Sequence, residues 1–540
     1  MPPDERCIAL KTKLFKITSP DDKAIDEAAR ILRGGGLVAM PTETVYGLAA
    51  NALDPAAVAN IFKAKGRPMD NPLIVHISRF EQIYDLVSSV PEQAKRLAEA
   101  YWPGPMTIIL PKSGLIPDEV SAGLPTVAVR MPSHPVARAL IERSGCPLAA
   151  PSANSSGLPS PTTAAHVMDD MDGRIDAVID SGECSVGIES TVVTLATDPP
   201  RLLRPGGITH PQLERILGRV DIDPAVLSDL KAGDRPASPG MKYKHYSPRA
   251  QVFIVKGSLP SFKYQIDSDR REGDMCLCFD GEEKDIPVEC LSFGGYGAQL
   301  DHARLLFADL RRFDELGAKR VFVRSPSCDG VGLGVYNRLL RAAAFRVLEP
   351  PVIFGLTGQS GAGKSTVAAE LSQKGYLVID CDVLARKAVE KGSPLLARLA
   401  EKFGSDIIEP DGSLNRALTA ERAFADEESR LALNSLTHPE ITRLTVEQIK
   451  REYSGAFRGV VIDAAALLES DIRRYCEKII VVTAPAEERL ARIISRDGIS
   501  RDSALKRINA QKPEQYYTER ADMIVKNYGN FNLSDELKTL

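Results

Sequence analysis

The sequence predicts an α/β protein built from several domains. Its 540 residues exceed what one hydrophobic core organises, and about three or four domains are expected from that length. Short apolar runs, each typical of a buried strand, alternate with helical patterns along most of the chain. At residues 352–366 an apolar run meets a glycine-rich turn and then a helical pattern, which indicates a parallel sheet that binds phosphate.

The composition is that of a globular protein with a small net charge. Apolar residues make up 44% and charged residues 26%, so each domain can bury a core. The net charge of −4 argues against a chain that wraps nucleic acid by bulk electrostatics. The nine cysteines form no CxxC pair and show no metal-ligand spacing, which is typical of a reducing cytoplasm. No signal peptide is expected, nor any apolar run near the ~18 residues of a membrane span, and we expect a cytoplasmic protein.

Residues 10–220 are predicted to form a first, twisted α/β domain around a cleft. Its polar residues gather in Pro- and Gly-rich loops at strand ends, including the hydroxyl-rich loop PTETVYGL at 41–48. The expected helices are 21–33, 54–65, 91–101 and 134–144. The expected strands are 37–40, 73–77, 106–110, 126–131, 177–180 and 191–195.

A linker and a second, smaller α/β domain are predicted to follow. The linker spans 221–250, and its segment ASPGMKYKHYSP (237–248) is either a plain tether or, because rings and lysines interleave, a segment that docks over the active site. Residues 251–348 are expected to contain strands at 252–255, 275–278 and 320–323, with helices at 297–316 and 332–346. Glu349-Pro350-Pro351 would make a short, stiff junction.

Residues 352–540 are predicted to form a third domain, with a parallel sheet between helices. The expected strands are 352–356, 376–380, 460–463 and 478–484. The match to G-x-x-x-x-G-K-[ST] at 358–365 lies between a strand and a helix, the context that a phosphate-binding loop requires. A glycine-rich turn that fits by coincidence is the alternative. The loop residues expected to cradle ATP are Gly361, Ala362, Gly363, Lys364, Ser365 and Thr366, with Lys364 on the β/γ-phosphates and Ser365 on Mg²⁺.

Two further patterns in this domain suggest phosphoryl transfer. Asp380 and Asp382 follow a strand at the sheet edge that faces the ligand crevice. Asp382 could accept the proton of an attacking hydroxyl, while one of the two is expected to cap a helix. Arg489, Arg492 and Arg496 share one helix face, which we interpret as a lid closing over phosphates; ordinary solvent exposure is the alternative.

Cations, hydroxyls and tight turns recur at strand ends of the first domain. Each is weak evidence alone, since an arginine that ends a strand is usually solvated or salt-bridged. Together they describe a site for anionic, hydroxylated ligands such as nucleotides. The residues in this pattern are Lys63, Lys65, Arg67, Asn71, Arg130, Ser152, Asn154, Ser155, Ser190, Thr191 and Arg204.

Several motifs give the first 346 residues a specific resemblance. They are KAKGRPMDNPL (63–73), PSANSSG (151–157), STVV (190–193), RPG (204–206), SPGMKYKHYSP (238–248) and GLGVYNRL (332–339). Residues ~10–346 resemble the two-domain threonylcarbamoyl-AMP synthases, which join a YrdC-like catalytic domain to a small Rossmann-like appendage through such a linker. The resemblance implies condensation of L-threonine, bicarbonate and ATP with release of pyrophosphate. It also implies that partner proteins pass the product to a tRNA adenosine.

The same resemblance assigns site residues by position. The threonine pocket would be lined by Thr44, His76, Arg130, Ala150 and Ser190. ATP would be held by Arg67, Asn71, Thr126, Ser152, Asn154, Ser160, Arg204 and, from the linker, Tyr246. Lys65 and Arg67 would be catalytic and, with Arg204, would neutralise the charge that builds as pyrophosphate leaves. Arg130 suits the threonine carboxylate, whereas His76 ends an apolar strand and is alternatively an ordinary core histidine.

Residues 352–540 resemble dephospho-CoA kinase. The motifs are the phosphate-binding loop, D-x-D-x-x-A-R (380–386), FG-x-x-I (403–407), DGSLNR (411–416), HPEI (438–441) and R-x-x-x-RDGIS (492–500). Two departures are mild: Cys381 replaces the usual alanine, and Ala465 stands where proline is common. The resemblance implies transfer of the ATP γ-phosphate to the ribose 3′-hydroxyl of dephospho-CoA. Lys364 would be catalytic, Asp382 the base, and Arg492 and Arg496 part of the lid.

The sequence thus predicts a bifunctional enzyme that uses ATP at both sites, and Mg²⁺ at the second. Two alternatives remain open. The front part could be a non-catalytic RNA-binding module, since a basic cleft also suits a folded RNA. The back part could phosphorylate another small molecule, since a phosphate-binding loop alone does not select an acceptor. We expect the two sites to work independently, because neither product is a substrate of the other reaction.

Overall fold

The computed structural model describes residues 11–228, 246–528 and Leu537. The chain divides into two compact units. The first comprises the residues up to 255 together with 271–348, and the second comprises 256–270 together with 349–540. Most of the predicted linker, including 229–245, lies outside the described residues. No helix in the described ranges is long and apolar enough to cross a membrane.

An 11-stranded mixed sheet organises the front of the first unit, in the order β1-β8-β2-β3-β7-β4-β6-β5-β9-β10-β11. Parallel pairs such as β4 with β6 alternate with antiparallel pairs such as β5 with β6. The strands are β1 (Lys13–Lys16), β2 (Val38–Met40), β3 (Gly47–Asn51), β4 (Ile74–His76), β5 (Met106–Pro111), β6 (Thr126–Arg130), β7 (Leu148–Ala149), β8 (Ala177–Asp180), β9 (Thr191–Thr194), β10 (Arg201–Arg204) and β11 (Asp221–Ile222).

Eight helices accompany this sheet and bury their apolar stripes in its two cores. In the first of them, the spacing of Ile25, Ala28, Ala29 and Leu32 places all four buried side chains on one face. The helices are α1 (Ala24–Arg33), α2 (Pro55–Lys65), α3 (Ile83–Leu86), α4 (Glu92–Tyr101), α5 (Asp118–Ser121), α6 (Pro135–Ser144), α7 (Ala164–Met171) and α8 (His210–Leu217).

A second, five-stranded sheet completes the first unit, in the order β14-β13-β15-β12-β16. Its strand pairs are all parallel, as the Rossmann-like expectation requires. The elements of this region are β12 (Gln251–Val255), α9 (Leu259–Ser268), β13 (Asp274–Cys278), β14 (Glu289–Ser292), α10 (Gln299–Glu315), β15 (Arg320–Arg324), α11 (Gly332–Ala342) and β16 (Val347–Leu348).

Helix α11 ends earlier than its apolar pattern predicts. The sequence suggests a helix to residue 346, but Ala344 and Phe345 take φ values of 46° and 59°. These left-handed residues turn the chain into the short strand β16, so the helix stops at Ala342. The turn sets the path from α11 to the last strand of this sheet.

The second unit contains a five-stranded sheet in the order β18-β19-β17-β20-β21, and its strand pairs are all parallel. Its strands are β17 (Ile353–Gly358), β18 (Leu377–Asp380), β19 (Val460–Asp463), β20 (Lys478–Thr483) and β21 (Met523–Lys526). Its helices are α12 (Lys364–Gln373), α13 (Cys381–Ala388), α14 (Pro394–Phe403), α15 (Arg416–Ala423), α16 (Glu427–Glu452), α17 (Ala486–Asp497), α18 (Arg501–Asn509) and α19 (Glu514–Thr518).

Helix α9 belongs to the second unit although it precedes the junction by some eighty residues of sequence. Tyr264 is buried in the same apolar cluster as Ile353 and Ile462, and its ring meets Tyr475 edge-on at 6.0 Å. Asp267 accepts hydrogen bonds of 2.8 Å from Arg474 Nη2 and from the Tyr475 hydroxyl. The core of this unit therefore includes residues from both sides of the Glu349-Pro350-Pro351 junction.

Candidate active sites

A cavity of about 600 Å³ opens at the carboxyl ends of the neighbouring strands β4 and β6. His76 is the last residue of β4 and Arg130 the last of β6, so the parallel register brings both to one edge. Seven of the predicted site residues line this cavity: Arg67, His76, Arg130, Ala150, Ser152, Arg204 and Tyr246. Sequence positions spread over 180 residues thus converge on one site.

Arg130 and Glu43 form a buried ion pair beside the cavity, which Arg130 lines together with His76. Arg130 Nη2 lies 2.8 Å from Glu43 Oε1, at an angle that does not make a hydrogen bond. Arg130 Nε is also buried without a hydrogen-bond partner. Burial and the charge of Arg130 lower the pKa of His76 to about 3, so His76 is neutral at physiological pH. This end of the cavity offers an under-satisfied guanidinium beside a neutral imidazole.

The half-buried Arg67 and the buried Arg204 bring two more guanidinium groups to the cavity. Burial lowers the pKa of each to about 10, which leaves both cationic near neutral pH. Arg67 Nη2 donates to the carbonyl of Asn71 at 3.2 Å, and the buried Asn71 amide has no hydrogen-bond partner for either its oxygen or its nitrogen. Cations and an unsatisfied amide are features that suit a phosphorylated ligand.

Lys65 holds the loop that carries Ser152 rather than lining the cavity. Its buried ammonium group donates to the carbonyl oxygens of Ser152 and Asn154, the latter at 2.6 Å. The Asn154 side-chain oxygen accepts from Ser152 Oγ at 2.6 Å, and its nitrogen donates to the carbonyl of Leu158 at 2.9 Å. Burial and the nearby Arg67 lower the pKa of Lys65 well below its ordinary value. Lys65 and Asn154 therefore shape the 151–158 turn.

The remaining predicted residues lie behind or away from the cavity wall. Thr44 is fully buried with its hydroxyl 2.9 Å from that of Thr42, and Ser190 Oγ lies 2.8 Å from Thr107 Oγ1. Ser160 donates to Glu189 at 2.5 Å. Thr126 begins β6 and so lies roughly 13 Å along that strand from Arg130, which separates it from the cavity.

Tyr246, from the end of the predicted linker, lies in the cavity wall. Its ring packs against Phe307 with the ring centroids 5.2 Å apart, and its φ is 61°. Burial raises the pKa of its hydroxyl, so it remains protonated. The neighbouring Ser247 donates to the carbonyl of Ala342 at 3.0 Å. The other linker residues predicted to dock, up to His245, lie outside the described residues.

Two acidic residues of this site were missed from the sequence. Glu189 lines the cavity, and Glu43 pairs with Arg130. Glu43 lies inside the hydroxyl-rich loop PTETVYGL, and Glu189 directly precedes STVV. An acidic residue within such a buried segment needs a basic partner, and that requirement is the signal that could have identified them.

The phosphate-binding loop of the second unit connects β17 to α12 as predicted. Gly358, Gly361 and Gly363 take φ values of 152°, 79° and 93°, which only glycine adopts readily. Lys364 is the first residue of α12, and Ser365 and Thr366 stand exposed in its first turn. The first backbone N–H groups of a helix have no partner within the helix, and a helix start that follows such a loop is an arrangement that binds phosphate.

Three aspartates lie near the edge of the sheet in the second unit, and one of them, Asp463, contacts Lys364. Asp463 ends β19 and forms an ion pair with the Lys364 ammonium group. Asp380 ends β18 in register with Asp463. Burial raises the pKa of Asp463, and the charges of Asp380 and Asp382 act in the same direction, although Lys364 opposes them. Asp463 was missed because the strand expected at 460–463 was given no role in the site.

Asp382 faces a cavity of about 610 Å³ beside this edge, and its exposed carboxylate is one of the lining groups. Asp380 instead caps α13, accepting from the backbone N–H groups of Asp382 and Val383 at 2.8 and 3.1 Å. The expectation that one of the two aspartates caps the helix is thus confirmed. The cavity also contains His438 and the Cys381 thiol, whose pKa burial raises to about 12.

The three arginines of α17 lie in different environments. Arg489 is buried and donates to Ser360 O at 3.1 Å, and Arg492 Nη1 donates to Ala362 O at 3.2 Å. Arg496 is exposed and pairs with Asp497 at 2.7 Å. Asn527 also reaches the loop, donating to Ala362 O at 3.1 Å, and was missed because no motif marks it. Arg489 and Arg492 therefore contact the loop, while Arg496 lies apart from it.

The folds and the two sites define a bifunctional nucleotide-using transferase. Three family models match the chain. They are described as Telomere recombination (the Sua5–YciO–YrdC model, residues 30–206), Threonylcarbamoyl-AMP synthase, C-terminal domain (208–344) and Dephospho-CoA kinase (352–532).

Curated relatives and solved structures agree with these models. The threonylcarbamoyl-AMP synthase of Pyrococcus abyssi is 46% identical over 331 residues, which are 60% of this chain and 94% of that protein. The dephospho-CoA kinase of Corynebacterium glutamicum is 41% identical over 175 residues, 32% of this chain and 88% of that protein. The crystal structure of P. abyssi Sua5 complexed with L-threonine matches with a TM-score of 0.60 and 44% identity, covering 63% of this chain and 99% of that one.

The chain belongs to the threonylcarbamoyl-AMP synthase family over its front part and to the dephospho-CoA kinase family over its back part. It is an enzyme with both activities, and both families use ATP. The predicted fusion is thereby confirmed.

Proposed function

We propose that threonine, bicarbonate and ATP react inside the front cavity, with threonine at the Arg130 end and the nucleotide at the Arg67 and Arg204 end. The observation that carries this proposal is the charge of the cavity wall. Three arginines, two of them buried and Arg67 half-buried, line it together with one acid, Glu189, so the wall has an excess of positive charge that suits an amino-acid carboxylate and a triphosphate.

Arg130 binds the threonine carboxylate through the nitrogens that lack hydrogen-bond partners, next to Glu43. The threonine amine attacks the bicarbonate carbon to form a carbamate and water. A carbamate oxygen then attacks the α-phosphorus of ATP, and pyrophosphate leaves. Arg67 and Arg204 stabilise the departing charge, while Lys65 acts by holding the Ser152 turn. Tyr246, Ser152, Ser160 and Asn71 complete the nucleotide end.

Substrate-specific kinetics test this assignment. Arg130→Met should raise the KM for threonine by about tenfold or more, because the carboxylate loses a charged partner, and should leave the KM for ATP within about twofold. Arg204→Met should show the opposite pattern. Equal effects of either variant on both substrates would contradict the proposed orientation. If no pyrophosphate release that depends on threonine and bicarbonate is detected, the non-catalytic RNA-binding alternative is favoured.

In the second unit we propose that Lys364 binds the β/γ-phosphates of ATP and that Asp382 accepts the proton of the acceptor 3′-hydroxyl. The cavity beside Asp382 is placed to receive the acceptor, dephospho-CoA. Arg492 braces the phosphate loop, and Arg496 joins the lid only if the nucleotide draws it away from Asp497. A panel of acceptors with ATP tests the assignment: dephospho-CoA should be phosphorylated at least about 100-fold faster than adenosine or pantetheine.

The residues around the loop fit a Mg²⁺ ion. The exposed Ser365 hydroxyl is a hard oxygen donor of the kind that Mg²⁺ binds, whereas the described residues contain no cluster of three or more Asp, Glu, His or Cys side chains that could hold a metal without the nucleotide. Ser365 would hold the ion, which would supply charge neutralisation between the β- and γ-phosphates.

We further propose the following organisation of the chain. A synthase domain (10–220), a docking linker (221–250) and an appendage (251–348) precede the kinase domain (352–540), with 256–270 contributing to the kinase core. Partner proteins, rather than this chain, would transfer the product to tRNA. Free thiols at the described cysteines other than Cys328 favour a cytoplasmic setting.

A further inference from the structure

Arg338, on helix α11 of the appendage, is a fully buried guanidinium. A charge removed from water in this way requires a complete set of partners. Its Nε donates to Glu189 Oε2 at 2.9 Å and its Nη2 to the Glu189 carbonyl at 3.1 Å. Its Nη1 donates to the carbonyl of Pro205. All of its nitrogens are thus directed at the segments that carry Glu189 and Arg204.

Glu189 links Arg338 to the cavity. One of its carboxylate oxygens accepts from Arg338 and the other from Ser160 Oγ at 2.5 Å. The next residue, Ser190, accepts two hydrogen bonds from Arg204, at 3.0 Å on its carbonyl and 3.1 Å on its hydroxyl. Glu189 and Arg204 both line the cavity. Arg338 therefore neutralises the one carboxylate that would otherwise compete with the ligand for Arg204.

The backbone holds this arrangement at close range. A Cβ at Gly334, one turn before Arg338, would lie 3.3 Å from Gly206 Cα and 2.9 Å from Ile188 Cδ1. A Cβ at Gly206 would lie 2.6 Å from the Glu189 carbonyl. Glycine at both positions lets α11 pack closely against the turn after Arg204. This close packing fixes the position of Arg338 relative to Glu189.

We propose that Arg338 is a positioning residue for the synthase: it holds the Glu189 carboxylate on Ser160 and keeps Arg204 available to the anionic phosphates of the nucleotide. This proposal rests on the nucleotide role that we propose for Arg204. In agreement with it, burial alone would raise the pKa of Glu189, but Arg338 and then Arg204 hold it below its ordinary value. When Arg338 is lost, the freed carboxylate should pair with Arg204.

Steady-state kinetics of the full-length protein test the proposal. Arg338→Met should raise the KM for ATP about tenfold, with a smaller change in the KM for threonine, because only the nucleotide end loses a cation. The double variant Arg338→Met/Glu189→Gln removes the competing charge, and should recover most of the affinity for ATP. Arg338→Lys keeps a charge but cannot make the three-nitrogen set of hydrogen bonds. Its KM for ATP should therefore lie between those of Arg338→Met and the double variant.

Arg320→Met is the matched control, because Arg320 forms a buried bidentate pair with Asp274 in the same appendage at 2.7 and 2.6 Å. It should lower the unfolding temperature and leave the KM for ATP unchanged. An unchanged KM for ATP in Arg338→Met, or in Arg338→Lys if the methionine variant does not fold, would overturn the proposal. The proposal would also be overturned if the double variant had the same KM for ATP as Arg338→Met. If Arg204→Met leaves the KM for ATP unchanged, the assignment of Arg204 fails instead.

Discussion

At the residue scale, two aspartates at the carboxyl end of β18 have different roles because they occupy different positions relative to the start of α13. Asp380 accepts two backbone N–H groups at the start of α13, whereas Asp382, two residues on, leaves its carboxylate exposed on the acceptor-side cavity. The sequence indicated both roles for the pair. It could not assign them, because the choice depends on where the helix begins.

The first prediction concerns this pair. Asp382→Asn should lower kcat for CoA formation about 100-fold or more, because the acceptor hydroxyl loses its base. Asp380→Asn should retain most of the activity, since asparagine caps helices as well as aspartate. Coupled measurement of ADP release with dephospho-CoA distinguishes them. Similar losses of kcat in both variants would contradict the assignment of Asp382 as the base.

His76 gives a second prediction, on stability. Its folded pKa of about 3 lies below the ordinary value of about 6.5, so the unfolded chain binds the extra proton between those limits. Stability should therefore fall as pH drops through this window. When the pH is lowered from 7 to 5, the free energy of unfolding should fall in both proteins. The fall should be about 2 kcal/mol smaller in His76→Gln than in the wild type, because the variant lacks the titrating imidazole.

Urea unfolding followed by the fluorescence of Trp102 measures this difference. Trp102 is the single tryptophan of the chain and is buried in the core of the front domain, so it reports on the domain that holds His76. Parallel pH dependences in the two proteins would mean that His76 is protonated in the folded state.

At the scale of elements, α17 separates three arginines that the sequence groups together. The i, i+3, i+7 spacing correctly places them on one helix. It does not show that Arg489 and Arg492 reach the carbonyl oxygens of the phosphate loop while Arg496 turns to its neighbour Asp497. Which arginine contacts the loop depends on residues that are far away in the sequence, and the spacing of the arginines gives no information about those residues.

The third prediction follows from that difference. Arg492→Ala should raise the KM of the kinase for ATP about tenfold, because the loop loses a charged brace. Arg496→Ala should change it by no more than about twofold if the exposed pair with Asp497 persists when ATP is bound. Initial rates at varied ATP compare the two. A larger effect at Arg496 would instead show that the nucleotide recruits it into the lid.

At the scale of the whole molecule, local patterns predicted six of the eleven strands of the first sheet, three of the five of the second and four of the five of the third, and the glycine-rich motif predicted the phosphate loop. Apolar periodicity is a local signal, and each of these elements is defined locally. The placement of α9 in the kinase core, the seating of Arg338 on Glu189 and the early end of α11 were not predictable in this way. Each depends on contacts across tens to hundreds of residues or on left-handed backbone at non-glycine positions.

The fourth prediction tests the placement of α9. Tyr264→Ala should remove a buried aromatic from the kinase core, at a cost of about 3 kcal/mol, and lower the temperature at which CoA formation is lost. Tyr296→Ala is the control, because Tyr296 is 78% exposed. Residual activities after heating compare the variants. Unchanged thermal inactivation of the kinase in Tyr264→Ala would show that α9 contributes nothing to that core.

The central claim is that one chain contains two separate active sites, each with its own phosphate-binding residues. Assaying both reactions on Lys364→Ala and Arg130→Met of the intact protein tests it most directly. We predict that Lys364→Ala abolishes CoA formation and leaves threonylcarbamoyl-AMP synthesis near wild type, whereas Arg130→Met impairs only the synthase. Loss of both activities in either well-folded variant would contradict the claim.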